Sequence, residues 1–381
     1  MKILITTDLF TTDTNGVVTS VKNLREELEK KGHEVKILTL SDNMHSHRDG
    51  EVYYIRSMSL EAVYPNVRMP LSYRHKLIKE LVRWKPDIIH SQCEFFSYQF
   101  ALYISKKTGA HIVHTYHTLY EQYVTYVIPS RRIGRKAVRV LSRKRLKKAS
   151  AVIAPTRKVE DALQGYGVKN PISVVPSGIS LEQHKIRISP EDRKAKRESY
   201  GIADDDIALI NLGRLGTEKN IGELLKFFAT AAKENEHLKF LIVGDGPAKG
   251  ELEALSVSLD ITDKVVFTGM VKPSEVQNYY QLGDIFVSAS TSETQGLTYI
   301  EAAANGLPLL CRKDPCFDEV LFEGENGYTY EDEQGFLDGL SKMISSPEWM
   351  ESAKQRSEQA AAVFDKATFG DAVEDIYDKV K

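Results

Sequence analysis

Residues 284–304 read DIFVSASTSETQGLTYIEAAA, so that a short apolar run, a polar loop and a helical pattern follow one another. The apolar run is typical of a buried strand, and the small polar residues after it predict a loop at the carboxyl end of that strand. We expect Glu293 to lie in this loop and Glu301 in an early turn of the following helix. Gly296 permits a ligand to approach the backbone closely, and the start of the helix offers N–H groups to a phosphate.

The two carboxylates of this stretch suggest sugar binding. A carboxylate can accept hydrogen bonds from two adjacent hydroxyls at once, whereas it is a poor partner for phosphate. In the alternative interpretation Glu293 caps the helix and Glu301 is a solvated acid in the first turn, where the helix dipole favours negative charge.

The alternation of strand and helix recurs through most of the 381 residues. Strands are predicted at residues 2–7, 34–40, 52–55, 87–90, 112–115, 151–154 and 173–175, and again at 207–212, 240–243, 264–268, 285–288 and 307–310. A turn-rich break at residues 176–178 and a polar stretch up to about residue 197 separate the two series. This length and pattern predict two α/β domains, each with a parallel sheet, over residues 1–178 and 179–364, with a closing helix over 365–381.

Three further loops follow predicted strands, at the edge where open parallel sheets bind ligands. In residues 211–220, Arg214 and Lys219 precede a helix and would neutralise a diphosphate; the alternative is two solvated surface cations. The Gly-x-Gly beginning at Gly244 predicts a tight turn, which we place near a nucleobase. A lone histidine at the end of a strand is more often structural than catalytic, but in residues 114–118 two histidines, His114 and His117, stand with a threonine and a tyrosine, which strengthens the case for a functional role.

The N-terminal loop at residues 11–18 gives a weaker signal. Gly16 precedes a helix and could present a backbone N–H to phosphate, although alone it is little more than a turn signal. The acidic run 204–206 stands just before a strand, at the wrong end for the ligand cleft, so we interpret it as a solvated turn rather than a metal site.

The composition indicates a globular protein rather than a disordered, fibrous or membrane-spanning one. The chain is 42% hydrophobic and 27% charged and contains no apolar run of 18 residues. Residues 1–7 are expected to form a buried strand rather than a secretory signal, and the three cysteines fit a reducing cytoplasm. The net charge of −2 conceals an asymmetry: residues 1–178 hold 29 Lys/Arg against 16 Asp/Glu, so this half is expected to meet an anionic surface.

These motifs together resemble family four of the retaining glycosyltransferases, which have the GT-B fold: two Rossmann-like parallel-sheet domains that face a central cleft. The resemblance rests on Glu293 and Glu301 with seven residues between them and on Arg214, Glu218 and Lys219 upstream, and it extends over nearly the whole chain. The amino-acid sequence at residues 292–301 and 114–121 is similar to that of the bacterial 1,2-diacylglycerol 3-glucosyltransferases. Such enzymes make glucosyldiacylglycerol from UDP-glucose at the inner membrane face.

The resemblance implies a role for each matching residue. Arg214, Lys219 and Gly16 would contact the donor diphosphate, and His117 would lie by the sugar and the reacting centre, so that His117 and Glu293 are the expected catalytic residues. The sugar and ribose would be held by residues of the loop after the predicted strand 285–288 and of the helix that follows it: Glu293, Thr294, Gln295, Gly296, Leu297 and Glu301. The nucleobase region would comprise Gly244, Asp245, Met270 and Val271. No cofactor and no metal are implied, because the UDP-sugar is itself the donor substrate.

Residues 131–150 hold ten Lys/Arg and no acid, and Ile133, Ala137 and Leu141 fall at helical spacing. We interpret this segment as a membrane-facing amphipathic helix, and a second candidate lies at residues 71–85; the alternative for both is an ordinary helix whose apolar stripe faces the sheet. The membrane-facing cations expected in the first segment are Arg131, Arg132, Arg135, Lys136, Arg139, Arg143 and Lys144. The protein is accordingly expected to be cytoplasmic, peripheral to the inner membrane face, and bound to no nucleic acid.

Rival functions remain open at this stage. A transferase with a soluble or polysaccharide acceptor would use the same donor site, and a non-catalytic nucleotide-sugar sensor would bind without turnover. An oxidoreductase or epimerase would require a Gly-x-Gly-x-x-Gly after the first strand, and residues 7–16 lack one. The sequence does not decide between glucose and galactose.

Overall fold

The computed structural model describes residues 1–10, 15–60, 68–122 and 130–381 of the chain. Over these residues the chain folds into two compact units, one comprising Met1–Gly178 with Lys366–Lys381 and the other comprising Ile179–Asp365. Each unit is an α/β structure with a largely parallel sheet and its own buried apolar core. The predicted fold class is therefore confirmed.

The first unit is built on an eight-stranded sheet. The strands of the whole unit, in the described ranges, are β1 (Lys2–Thr6), β2 (Glu34–Leu40), β3 (His47–Asp49), β4 (Val52–Ile55), β5 (Ser57–Ser59), β6 (Arg68–Pro70), β7 (Ile88–Ser91), β8 (His111–Thr115), β9 (Ala151–Ala154) and β10 (Ile172–Val174). The order across the sheet is β10-β9-β8-β7-β1-β2-β4-β3, and β5 and β6 pair separately. Within the eight-stranded sheet all neighbouring strands are parallel except β3 and β4. The order of the strands reverses between β1 and β7.

The α-helices between these strands, in the part of the unit that the structure describes, are α1 (Gly16–Lys30), α2 (Lys76–Trp84), α3 (Phe96–Thr108), α4 (Arg131–Leu146) and α5 (Arg157–Gly165). The centre of β1 is completely buried, as expected for a parallel strand covered on both faces. Helix α1 starts at an Asn15 cap, whose side chain accepts from the backbone N–H of Val17, and it packs Val18, Val21 and Leu24 into the core.

The second unit has a six-stranded parallel sheet. Its strands are β11 (Ile207–Leu212), β12 (Leu238–Val243), β13 (Val265–Gly269), β14 (Ile285–Ser288), β15 (Leu309–Arg312) and β16 (Gly327–Tyr330). Its helices are α6 (Leu181–His184), α7 (Pro190–Ser199), α8 (Ile221–Glu234), α9 (Lys249–Ser258), α10 (Val276–Tyr280), α11 (Leu297–Ala304), α12 (Glu333–Ile344) and α13 (Pro347–Ala361). The order β13-β12-β11-β14-β15-β16 is that of a dinucleotide-binding Rossmann sheet, and it reverses between β11 and β14.

A last helix, α14 (Lys366–Val380), returns the chain to the first unit. Phe369, Val373 and Tyr377 are buried with the core residues of β1 and α1. Polar contacts reinforce this packing: His33 Nε2 and Glu374 Oε1 are 2.7 Å apart, and Lys366 Nζ lies 2.8 Å from Glu26 Oε1. The C-terminal segment therefore shares the core of the N-terminal unit.

Several strands begin or end one or two residues away from the predicted bounds, and two differences from the predictions have a specific structural reason. The strand expected at 307–310 runs from Leu309 to Arg312, because the N–H of Leu307 closes the end of α11 by donating to Ala302 O over 3.0 Å. The polar stretch before residue 197 contains helix α7, which begins at Pro190 behind a Ser189 cap. Its Arg197 is 1% exposed and donates to Leu282 O and Asp284 Oδ2, so a charged residue there belongs to the interior.

Candidate active site

The loops after β11 and β14 are brought together by the strand order of the second unit. Leu209 pairs with Ile285 and Ile210 with Phe286, so the two carboxyl ends are neighbours at the point where the order reverses. Open α/β sheets bind ligands in the crevice at this point. The two motifs that sequence analysis singled out, residues 211–220 and 288–301, follow these two strands.

The cations of the first loop are ion-paired with carboxylates. A 3₁₀ turn over Thr217–Lys219 places Glu218 against the guanidinium of Arg214, and Lys219 reaches the carboxylate of Glu293 in the second loop. Ser290 Oγ also donates to Glu293 Oε1 over 3.1 Å. Glu293 thus lies beside a cation rather than acting as the helix cap of the alternative interpretation, and the four charges balance one another.

Helix α11 begins directly after the second loop. Its N-cap is Gly296 at φ +71°, a conformation that side chains rarely adopt, and a Cβ there would lie 2.2 Å from the Tyr299 ring. Glycine has no side chain with which to cap the helix, and the N-terminus of a helix is a place where anions bind. The predicted residues Thr294 and Gln295 lie between Glu293 and the helix, and Leu297 is the first residue of the helix.

Glu301 lies in α11, one turn beyond the N-terminus, and is partly buried. Tyr280 donates its hydroxyl to Glu301 Oε2 over 2.8 Å, and burial raises the pKa of the Glu301 carboxyl to about 7 despite that hydrogen bond. The alternative of a solvated first-turn acid is therefore wrong. A carboxyl with a perturbed pKa in such a crevice is a candidate for ligand binding.

The Gly-x-Gly that begins at Gly244, in the loop after β12, lies against the loop after β11. A Cβ at Gly244 would lie 1.9 Å from Gly213 O, and Leu215 N donates to Asp245 O over 2.9 Å. The loop is thus a tight turn that abuts the loop carrying Arg214. Met270 and Val271, from the expected nucleobase region, follow the neighbouring strand β13, and Met270 is 72% exposed.

In the first unit, His117 follows β8 and contacts the end of β7. His117 Nε2 lies 2.6 Å from Gln92 Oε1, and burial together with nearby His114 lowers the pKa of His117 to about 3. His114 Nε2 lies 3.1 Å from Glu94 Oε1, and Tyr120 donates to the other oxygen of Glu94. The imidazole of His117 is therefore neutral throughout the physiological range.

Gly16 is the first residue of α1, and Asn15 provides the cap of that helix. Residues 11–14 of the predicted phosphate loop lie outside the described residues.

The acidic run 204–206 lies before β11, at the opposite edge of the sheet from the loops described above. Carboxylate oxygens of Asp205 and Asp206 and a ring nitrogen of His237 lie within 4.8 Å of one another, whereas Asp204 is ion-paired with Lys194. The cluster is largely exposed and remote in the sheet from the strand ends that carry the site.

Helix α4 presents an apolar and cationic face to solvent. Ile133 is 65% and Leu141 40% exposed, and they flank exposed Ala137, whereas Val138 and Leu146 face the core. Cations on the helix are largely exposed as well: Arg132, Arg135, Lys136, Arg139, Arg143 and Lys144. Arg135 and Arg139 also approach Glu121, with Arg139 Nε at 2.8 Å. Within the described ranges the helices are too short or too polar to cross a bilayer.

Helix α2, the second candidate membrane segment, has the opposite character. Its apolar residues Leu77, Ile78 and Leu81 are at most 5% exposed and belong to the core of the first unit. The membrane interpretation of residues 71–85 is therefore wrong, because this apolar stripe is already used for packing.

The sequence analysis assigned no role to three residues of the site: Glu218, Tyr280 and Gln92. Glu218 stands four residues after Arg214, a spacing that could have indicated the ion pair. Tyr280 and Gln92 are 21 and 25 residues from their partners, and no local pattern marks them.

Comparisons with known proteins agree with this architecture. The family model described as Glycosyltransferase Family 4 matches residues 14–183, and that of Glycosyl transferases group 1 matches residues 192–362. HepE of Anabaena, solved in complex with UDP-glucose, superimposes over 100% of both chains with a TM-score of 0.78 at 16% identity. Sucrose-phosphate synthase of Thermosynechococcus elongatus superimposes with a TM-score of 0.77 at 20% identity, over 100% of this chain and 99% of that one. At these identities the likeness concerns the fold, which is GT-B.

The chain belongs to glycosyltransferase family 4. Within that family it is 36% identical to the alpha-monoglucosyldiacylglycerol synthase of Streptococcus pneumoniae, over 92% of this chain and 80% of the relative. It is 30% identical to the enzyme of the same name from Acholeplasma laidlawii, over 99% of this chain and 96% of the relative.

Proposed function

We propose that this glycosyltransferase moves glucose from UDP-glucose to diacylglycerol with retention of the anomeric configuration. The observation that carries the proposal is the pairing of two cations with two carboxylates, Arg214 with Glu218 and Lys219 with Glu293, at the switch point of the second sheet. Such a set offers positive charge to a diphosphate and carboxylate oxygens to sugar hydroxyls. The two curated relatives named as monoglucosyldiacylglycerol synthases support glucose as the sugar and the lipid as the acceptor.

Donor binding exchanges these ion pairs for contacts with the substrate. The diphosphate draws Arg214 and Lys219 away from their carboxylates, and the first N–H groups of α11 bind the same anion. Glu293 is thereby released to accept from sugar hydroxyls, together with the backbone of residues 294–297. Glu301 holds the ribose, Gly16 approaches the phosphates through its backbone, and the nucleobase lies by Gly244, Asp245, Met270 and Val271.

Catalysis is then mainly electrostatic. The bond from the sugar C1 to the β-phosphate oxygen breaks, a bond from C1 to the acceptor hydroxyl oxygen forms, and the hydroxyl proton passes to the departing phosphate. The products are UDP and the glucosyl lipid. Arg214, Lys219 and the α11 N-terminus stabilise the charge that develops on UDP without a metal ion, and neutral His117 positions the sugar at the reacting centre.

The lipid acceptor requires access to a membrane, and α4 is the surface that we assign to it. Exposed Ile133 and Leu141 would enter the headgroup boundary while the flanking cations contact anionic lipid at the inner face. Near an anionic leaflet each cation contributes about 1 kcal/mol, so several together hold the protein peripherally and reversibly.

The test is product analysis. The protein is incubated with diacylglycerol vesicles and UDP-glucose, UDP-galactose or a GDP-sugar, and the lipids are separated and the anomer is determined by NMR. We expect an α-glucosyl lipid from UDP-glucose only. Turnover with a soluble acceptor but not with the vesicles, or an inverted anomer, would contradict the proposal.

A further inference from the structure

Gln92 lies at the switch point of the first sheet and is 2% exposed. Its backbone N–H donates to Thr6 O over 2.8 Å, which fixes the residue between the carboxyl ends of β7 and β1. Its side-chain oxygen lies 2.6 Å from Nε2 of His117, on the neighbouring strand end. Among the described residues its amide Nε2 has no hydrogen-bond partner.

The contact defines which nitrogen of His117 carries the proton. An amide oxygen can only accept, so His117 donates its Nε2–H to Gln92, and the lone pair remains on Nδ1. If the amide were turned over, Gln92 would donate instead and the proton would move to Nδ1; the amide orientation and the tautomer are thus one structural variable.

We propose that Gln92 is a positioning residue that holds His117 as the Nε2–H tautomer and offers its own free amide N–H to a substrate hydroxyl. The inference rests on the proposed function, in which His117 lies by the transferred sugar. Native proteins leave few buried donors unpaired, and Gln92 stands where the strand order of a parallel sheet reverses, the place where ligands bind, so we expect a ligand to satisfy this donor.

An amide suits this task better than a carboxylate. Burial lowers the pKa of His117, so the imidazole stays neutral, whereas a carboxylate at position 92 would favour the imidazolium. The titratable groups that affect the pKa of His117 or are affected by it, among the described residues, include His114, which pairs with Glu94, and His90, which lies between Thr115 and Tyr377. The amide of Gln92 contacts Nε2 of His117 without adding a charge there.

The experiment compares Gln92→Met, which removes both amide functions at similar volume, with Gln92→Glu, which retains an acceptor but has no N–H. The control is Gln99→Met, because among the described residues the buried amide nitrogen of Gln99 also has no hydrogen-bond partner, and Gln99 lies on helix α3 rather than at the strand end that contacts His117. For each variant we measure kcat, UDP affinity and the ¹⁵N shifts of histidine-labelled protein, in which the His117 signals are those missing from His117→Ala.

We expect wild-type and Gln99→Met spectra to show His117 protonated at Nε2, and Gln92→Met to show a tautomer mixture with kcat lowered roughly ten- to hundredfold at unchanged UDP affinity. Gln92→Glu should retain the Nε2 proton, lose turnover through the missing donor, and shift the His117 titration upward. The inference is overturned if His117 keeps a pure Nε2–H tautomer and full kcat in Gln92→Met while His117→Ala is inactive. Full activity of His117→Ala would instead refute the role proposed for His117.

Discussion

The ammonium of Lys219 is ion-paired with the carboxylate of Glu293, although the two residues belong to loops that follow different strands. Strands β11 and β14 are neighbours in the sheet, and this pairing brings together residues that are 74 positions apart. In the ligand-free protein the pair satisfies both charges. A diphosphate and a sugar, arriving as one molecule, would give Lys219 and Glu293 each a new partner at the same time, so we expect donor phosphate and donor sugar to bind in a coupled manner.

Arg214→Ala and Lys219→Ala should each weaken UDP binding by about 1.5–3 kcal/mol, the size of a charge-assisted hydrogen bond. The measurement is calorimetric titration with UDP, with and without a chelator, and we expect the chelator to change nothing. Lys226→Ala is the matched control, because Lys226 is an exposed cation on α8. Chelator-sensitive affinity, or an unaltered titration in Arg214→Ala, would refute the assignment.

Glu301 should make donor affinity depend on pH near neutrality. Its pKa in the free protein is about 7, so the carboxylate, which accepts from two ribose hydroxyls, predominates only above that value. We therefore expect UDP affinity to rise between pH 6 and pH 8 and binding to release a proton. Glu301→Gln should bind weakly with a flat pH dependence. A flat profile in the wild type would remove Glu301 from the ribose site.

The same carboxyl should limit stability. Its folded pKa lies above the ordinary value of 4.5, so the folded chain retains a proton that the unfolded chain loses, and stability falls as pH rises from about 4.5 to about 7. Glu301→Gln lacks this ionisation. The difference in thermal unfolding temperature between Glu301→Gln and the wild type should therefore shift in favour of the variant from pH 5 to pH 8. An equal difference at both pH values would contradict the explanation that burial raises the pKa of Glu301.

His117→Ala should lower turnover by about 10²–10⁴ and leave UDP affinity nearly unchanged, because His117 would act on the sugar rather than on the nucleotide. The control is His111→Ala, since His111 is the first residue of β8, the strand that precedes His117, but is exposed and contacts Ser150. Steady-state kinetics and UDP titration separate the two effects. Turnover within a few-fold of the wild type would make His117 a structural residue.

Vesicle binding should depend on α4 and on salt. Four exposed cations of this helix are changed to glutamine: Arg132, Lys136, Arg143 and Lys144. We expect this variant to lose sedimentation with anionic vesicles, and the wild type to lose it as salt is raised, because exposed charges are screened over about 10 Å at 0.1 M. Ile133→Ser should weaken binding further by removing an apolar contact.

The matched control for that experiment neutralises four exposed lysines of the second unit: Lys226, Lys233, Lys272 and Lys342. It changes the net charge equally and should sediment like the wild type. Equal binding to neutral vesicles, or no binding at low salt, would remove the membrane proposal and favour a soluble acceptor.

Much of the fold could be predicted from the sequence, since each parallel strand is a short apolar run that both faces of the sheet bury. Strands β2, β4, β9, β11 and β14 begin and end where the apolar runs do. Strand β3 escaped prediction because it is an exposed edge strand of polar residues, and β16, at the edge of the other sheet, is a run of four residues that contains a glycine and a threonine, so neither has a clear apolar signal. The short strands β5 and β6 were missed as well. The positions of the loops at the strand ends could also be predicted from local sequence, because glycine, cations and carboxylates stand between an apolar run and a helical pattern.

What only the tertiary structure decided is which residues become partners and which helix faces stay exposed. Lys219 meets Glu293, Tyr280 meets Glu301, and Gln92 meets His117 because strand order and loop course fix those neighbours, and no local pattern encodes strand order. The sequence likewise marked apolar stripes on both α2 and α4. Packing buried the first and left Ile133 and Leu141 of the second in solvent, since Val138 and Leu146 had already filled the sheet side of that helix.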